Sequence, residues 1–113
     1  MSVDILVKKM IRRYGRTVKR KARTVADDGS YTYTVSYPVR GQFSQITATD
    51  EVFYRFGVAL EADYIGTFLS DTEIEIGDLL ELQPDEWYEV VTKVTRYTGS
   101  KADFIEVLLR RRE

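Results

Sequence analysis

The chain has neither cysteine nor histidine among its 113 residues. Without cysteine there is no disulfide and no thiolate zinc site, and an extracellular scaffold held by disulfides is excluded. Without histidine the commonest general base and the commonest metal ligand are missing, and with them every Ser-His or Cys-His arrangement. No apolar run approaches the ~20 residues of a membrane-spanning helix. Lys8 and Lys9 follow the short apolar stretch 3–7 instead of preceding it, the wrong order for a secretion signal. The expected location is therefore the cytoplasm or a particle assembled there, with no membrane partner. No phosphate loop or dinucleotide fingerprint is present either, since the glycines are scattered as turn and strand punctuation. These absences lead us to expect no enzyme, no cofactor and no metal.

What the chain does have is charge of both signs, unevenly placed. Residues 1–24 carry nine lysines and arginines against Asp4 alone, whereas residues 25–113 carry eight against seventeen acidic residues. The basic segment reads as a solvated face, as a contact with a polyanion, or as an arm lying on the acidic body of a neighbouring copy. Asp27-Asp28 and Asp85-Glu86 are paired carboxylates, but both fall in predicted turns, where such residues are ordinary turn formers. Arg110-Arg111-Arg112 reads as a solvated tail that can also grip a polyanion.

Hydrophobic periodicity predicts a mainly β, single-domain chain: a basic N-terminal α-helix over 1–15 and a small antiparallel β-barrel over 16–113. In residues 3–14, Val3, Val7, Met10 and Tyr14 form a stripe with Leu6 and Ile11 beside it. Ser2 suits the N-cap, Arg12 and Arg13 suit the last turn, and Gly15 suits the C′ position. Residues 16–25 and 31–43 read as a hairpin around the Asp28-Gly29 turn, with Tyr31, Tyr33, Val35 and Tyr37 alternating along a half-buried strand. Between Ile74 and Val94, Leu80 and Leu82 alternate with Glu81 and Gln83, and Pro84-Asp85-Glu86 turns the chain into a return strand opened by the lone tryptophan, Trp87. Residues 103–111 close the sheet against 87–97. From Gly57, residues Val58, Leu60, Ala62 and Tyr64 share a face. Residues 43–57 read as a long loop, and a loop of that length in a compact domain tends to carry function.

Several segments resemble the small head-closure proteins of long-tailed viruses, also called head–tail joining, connector or stopper proteins. The likeness rests on Arg40-Gly41-Gln42-Phe43, Ala62-Asp63-Tyr64-Ile65-Gly66, Ile76-Gly77-Asp78 before Leu80, Trp87-Tyr88-Glu89-Val90 and Glu106-Val107-Leu108-Leu109-Arg110, spread over about two-thirds of the chain. It implies a virion structural protein at the head–tail joint, a hexameric or dodecameric ring that extends the portal DNA channel, helps retain packaged DNA and docks the tail. The implied partners are further copies of the chain, a portal or adaptor protein, a tail protein, and DNA passing without sequence specificity. Phe53, Tyr54 and Arg55 are then the candidates for a channel or partner loop. Met10, Arg12, Arg13, Arg16, Lys19, Lys21, Tyr31 and Tyr33 are candidates for the interface. The basic helix departs from the simplest members of that group, which leaves stopper, adaptor and tail-completion roles open. A reading of a different class is a nucleic-acid-binding barrel using the basic segment and stacking bases on Tyr31, Tyr33 and Tyr37.

Overall fold

The computed structural model describes residues 3–46 and 62–112. A helix, α1 (Val3–Tyr14), precedes seven strands: β1 (Arg16–Val25), β2 (Tyr31–Val35), β3 (Val39–Gln45), β4 (Tyr64–Leu69), β5 (Leu79–Gln83), β6 (Glu86–Thr98) and β7 (Lys101–Arg111). Neighbours run β2-β1-β3-β4-β7-β6-β5, and β5 returns to β1 through Lys19↔Glu81, Arg20↔Leu80 and Lys21↔Leu79. Six strands thus close into an antiparallel barrel, with β2 carried outside it on β1. The expected mainly β barrel with an N-terminal helix is the observed architecture.

Period-2 alternation fills the interior. Val18, Val39, Phe68, Leu80, Leu82, Val90, Ile105, Val107 and Leu109 form one buried cluster with Ile74 and Tyr88. Fully burying one such side chain contributes about 1.5–3 kcal/mol. Phe43 meets Phe68 edge-on at 5.6 Å between centroids, and Tyr64 meets Tyr88 at 5.2 Å. Burial, ahead of the neighbouring Tyr64, pushes the Tyr88 phenol above its ordinary 10.0. The folded state therefore disfavours the phenolate. The stabilisation is complete below the unfolded tyrosine pKa and is lost as pH rises through the folded one. Tyr88→Phe is expected to flatten the fall of melting temperature above pH 10.0, read by thermal scans across alkaline buffers.

Helix α1 lies across the outer faces of β3, β4 and β7. Leu108 points outward from β7, yet it is fully buried. The helix docks with Val7 and Ile11, one turn apart, while Leu6, Met10 and Tyr14 stay 50%, 40% and 63% exposed. The broad stripe expected from sequence is thus only half used, because a helix on a convex barrel wall touches it along a narrow line. Ser2 lies outside the described residues. Gly15 donates its N–H to the Ile11 carbonyl at 2.8 Å, and a Cβ there would stand 2.3 Å from that oxygen. Its φ is not positive, so this glycine supplies space and not a left-handed turn.

The predicted hairpin of 16–25 with 31–43 is interrupted. β1 pairs with β2 from Lys21↔Val35 to Val25↔Tyr31 and with β3 from Val18↔Val39 to Arg16↔Gly41, one residue out of step. Pro38 sits in the break, where its missing N–H costs no ladder bond. Of the face expected to be half-buried only Tyr33 is, whereas Tyr31, Val35 and Tyr37 are 54%, 75% and 85% exposed. From Ala22 onward β1 pairs only with β2, so the two form a ribbon that no second sheet layer covers among the described residues. The predicted loop at 43–57 begins too early, since Phe43, Ser44 and Gln45 pair with Gly66, Ile65 and Tyr64. Residues 47–57 of that loop lie outside the described residues, as do Val58 and Leu60. Among the described residues no helix is long and apolar enough to cross a membrane.

Candidate assembly surface

The inward-facing residues of β1 set the limits of any site. Val18 belongs to the core, and two arginines stand on either side of it. Arg16 lays its guanidinium 5.4 Å from the Phe43 ring centroid and donates to the Leu82 carbonyl. Arg20 is 3% exposed and donates from Nε to Asp78 Oδ2 at 2.7 Å and from Nη1 to Ser36 Oγ at 3.2 Å. Glu73 Oε1 lies 3.8 Å from the same Nη1. Asp78, 2% exposed, also accepts the Glu75 N–H at 2.9 Å and the Arg23 N–H at 3.4 Å. This buried pair fastens β1 to the turn before β5, the seam at which the barrel closes. The interior is packed, so the surfaces available for partners are on the outside.

The outer face of the β1–β2 ribbon alternates cations with aromatic rings. Arg23 sits 4.4 Å from the Tyr31 centroid, Lys21 4.2 Å from Trp87, and Arg112 4.6 Å from Tyr33. Arg112 Nη1 also donates to the Tyr33 hydroxyl. Gly77, at φ 96°, lies under the Arg23 guanidinium, where a Cβ would come within 2.2 Å of it. Tyr31 and Tyr33 therefore each have a cation against the ring, and neither offers two free faces for stacking.

At the tip of the ribbon, Gly29 takes φ 86° and its N–H reaches the Ala26 carbonyl at 2.9 Å. Asp28 accepts from the Ser30 hydroxyl at 2.6 Å and from the Ser30 N–H at 2.9 Å, and these bonds hold its carboxyl below the usual 3.8. A groove runs between α1 and the strands β3 and β4. One part, about 400 Å³, is lined by Lys8, Arg12, Arg40, Ile11 and Leu69. A second part, about 310 Å³, continues past Ile11 and Arg40 to Tyr37 and Pro38, with Glu73 and the buried Arg20 beyond. Arg40 Nη2 donates to the Arg12 carbonyl at 3.3 Å.

The residues singled out from sequence do not form one patch. Met10, Arg12 and Arg13 stand on α1, where Arg13 lies 5.5 Å from the Tyr14 ring centroid. Arg16 is at the barrel rim. Lys19, Lys21, Tyr31 and Tyr33 belong to β1 and β2, with Lys19 opposite Glu81. Phe53, Tyr54 and Arg55 lie outside the described residues. Sequence reasoning missed Arg20, Asp78, Arg23 and Arg40. Arg20 was hidden in a uniformly basic run, although its spacing two residues after Val18 placed it on the inward phase. Asp85-Glu86 stays a turn and strand start, with Asp85 at φ 62° and Glu86 3.4 Å from Arg111. Among the described residues no group of three or more acidic side chains gathers to hold a metal ion.

No protein-family model matches this chain, and no curated protein matches it.

Proposed function

We propose that this chain is a virion structural protein of the head–tail joint, forming a ring that extends the portal DNA channel, helps retain packaged DNA and docks the tail. The observation that carries the reading is the outer edge of β2, which pairs with no further strand among the described residues. It is the terminal strand of the sheet order, and Tyr31–Val35 contains no charged residue. Proteins usually blunt such an edge with charge, a bulge or a covering element. An edge left unblunted on a ribbon beyond a closed barrel suits a neighbour that completes the sheet. The packed interior, the division of charge between the first 24 residues and the rest, and the resemblance of the 40–111 segments support the same role.

The test is the mass of the full chain by light scattering, alone and mixed with portal and tail proteins of the same virus. A ring, or a stable complex with either partner, is the expected result. The nine cations of residues 1–24 and the 85% exposed Tyr37 favour a second reading, a nucleic-acid-binding barrel. A persistent monomer that ignores both proteins and binds DNA with affinity falling steeply in salt would overturn the first reading for the second.

A further inference from the structure

The ribbon tip and the groove are complementary in sign. The tip is a narrow hairpin with Asp27 and Asp28 exposed at its end and Val25 and Tyr31 exposed just behind, 59% and 54%. It is a preformed element, because Asp28 is tied to Ser30 and the turn is closed by backbone bonds. The part of the groove against α1 has an apolar floor at Ile11 and Leu69 and three cations around it, Lys8, Arg12 and Arg40, with Glu73 only in its continuation past Pro38. Lys8 and Arg12 are one helical turn apart on α1, and Arg40 is brought beside them by its bond to the Arg12 carbonyl. None of the three makes an ion pair among the described residues. Three like charges around one concavity repel one another unless an anion enters it.

The tip of the same chain cannot be that anion. Arg40 pairs with Thr17, and Val25 is eight residues further along β1. At ~3.3 Å per residue this puts the tip about 26 Å from the groove along a strand. We infer that the β1–β2 tip of one copy seats in the α1–β3 groove of the next, with Asp27 and Asp28 among Lys8, Arg12 and Arg40 and with Val25 and Tyr31 against the apolar floor. This rests on the ring-forming reading above. Because the two patches are different surfaces, the contact is head-to-tail, and a head-to-tail contact closes into a ring when its rotation allows. The acidic, apolar tip thereby supplies what the groove lacks, and it gives the basic N-terminal segment a partner within the assembly.

The experiment is a charge swap in the full chain. One variant reverses the tip (Asp27→Lys with Asp28→Lys), and the other reverses the groove (Lys8→Glu, Arg12→Glu and Arg40→Glu). All five positions are exposed, and unchanged melting curves establish that both variants fold. Each variant alone is expected to need at least about tenfold more protein than wild type to assemble, read by light scattering with portal protein present. An equimolar mixture is expected to regain the wild-type mass, because alternating subunits restore opposite charges at every contact. A wild-type assembly that neither reversal weakens, or a mixture that stays dissociated, overturns the tip-in-groove contact and leaves the ring reading standing. A wild-type chain that forms no assembly, alone or with the portal, overturns the ring reading and this contact with it. The absence of native cysteine provides a second measurement. A chain carrying both Arg12→Cys and Asp28→Cys is expected to oxidise into a ladder of covalent multimers, whereas a gel with monomer only would contradict the contact.

Discussion

Asp78→Ala is expected to destabilise the fold by about 3–5 kcal/mol, because it leaves the Arg20 guanidinium buried with only the solvent-exposed Glu73 carboxylate, 3.8 Å away, to face it. The size follows from the surroundings. Both side chains are at most 4% exposed, and Asp78 also holds the backbone N–H of Glu75. The substitution therefore uncouples β1 from the 74–78 turn as well as stranding a cation. A domain of this size has about 5–15 kcal/mol of total stability, so the loss is a large fraction of it. Denaturant unfolding would measure it directly. The paired replacement Arg20→Met with Asp78→Leu is expected to recover part of the loss, since removing both charges also removes the cost of burying them, while the Glu75 N–H still lacks its acceptor. An Asp78→Ala variant within about 1 kcal/mol of wild type would mean that the seam is held by the β1–β5 ladder and not by this pair.

Phe68→Ala is expected to cost about 3–5 kcal/mol through lost burial and the cavity left behind. The ring is fully buried and sits over two glycines built to receive it. A Cβ at Gly41 would stand 2.6 Å from ring atoms Cδ1 and Cε1, and one at Gly66 would stand 3.0 Å from Cε2. Gly41→Ala is therefore expected to destabilise as well, by about 1–3 kcal/mol of overpacking. The two substitutions share one space, so Gly41→Ala in the Phe68→Ala background should lose the part of its cost that is due to the ring, while the Thr67 carbonyl oxygen, 2.8 Å from the same Cβ, keeps the rest. Additive losses measured in a double-mutant cycle would contradict this account of the two glycines.

The parts of the fold that sequence made legible are those written locally. The β5–β6–β7 meander could be read because Leu80 and Leu82 alternate with polar neighbours and because Pro84-Asp85 and Gly99 mark tight turns. Helix α1 could be read from its stripe and its last-turn arginines. Barrel closure could not, because the β1–β5 pairing joins residues about sixty positions apart and leaves no local signature. The exposure of Tyr31 and Val35 was hidden for a related reason. Alternation tells which residues share a face, but it does not tell whether a second layer covers that face. Pro38 is the local sign that a strand from 31 to 43 breaks, since a residue without an N–H leaves a gap in the ladder. At the candidate site, the cations of α1 and β1 were plain from charge counting. Their division between a groove and a ladder was not, because it depends on Arg40 and Arg112, which are distant in sequence from the residues they join.

The central proposal is that copies of this chain assemble at the mouth of a portal channel. The most direct measurement is electron microscopy of the full chain mixed with portal rings of the same virus. The account predicts added density forming a coaxial ring across the channel mouth. Portal rings that stay bare, or that carry the chain scattered along their outer wall, would contradict it.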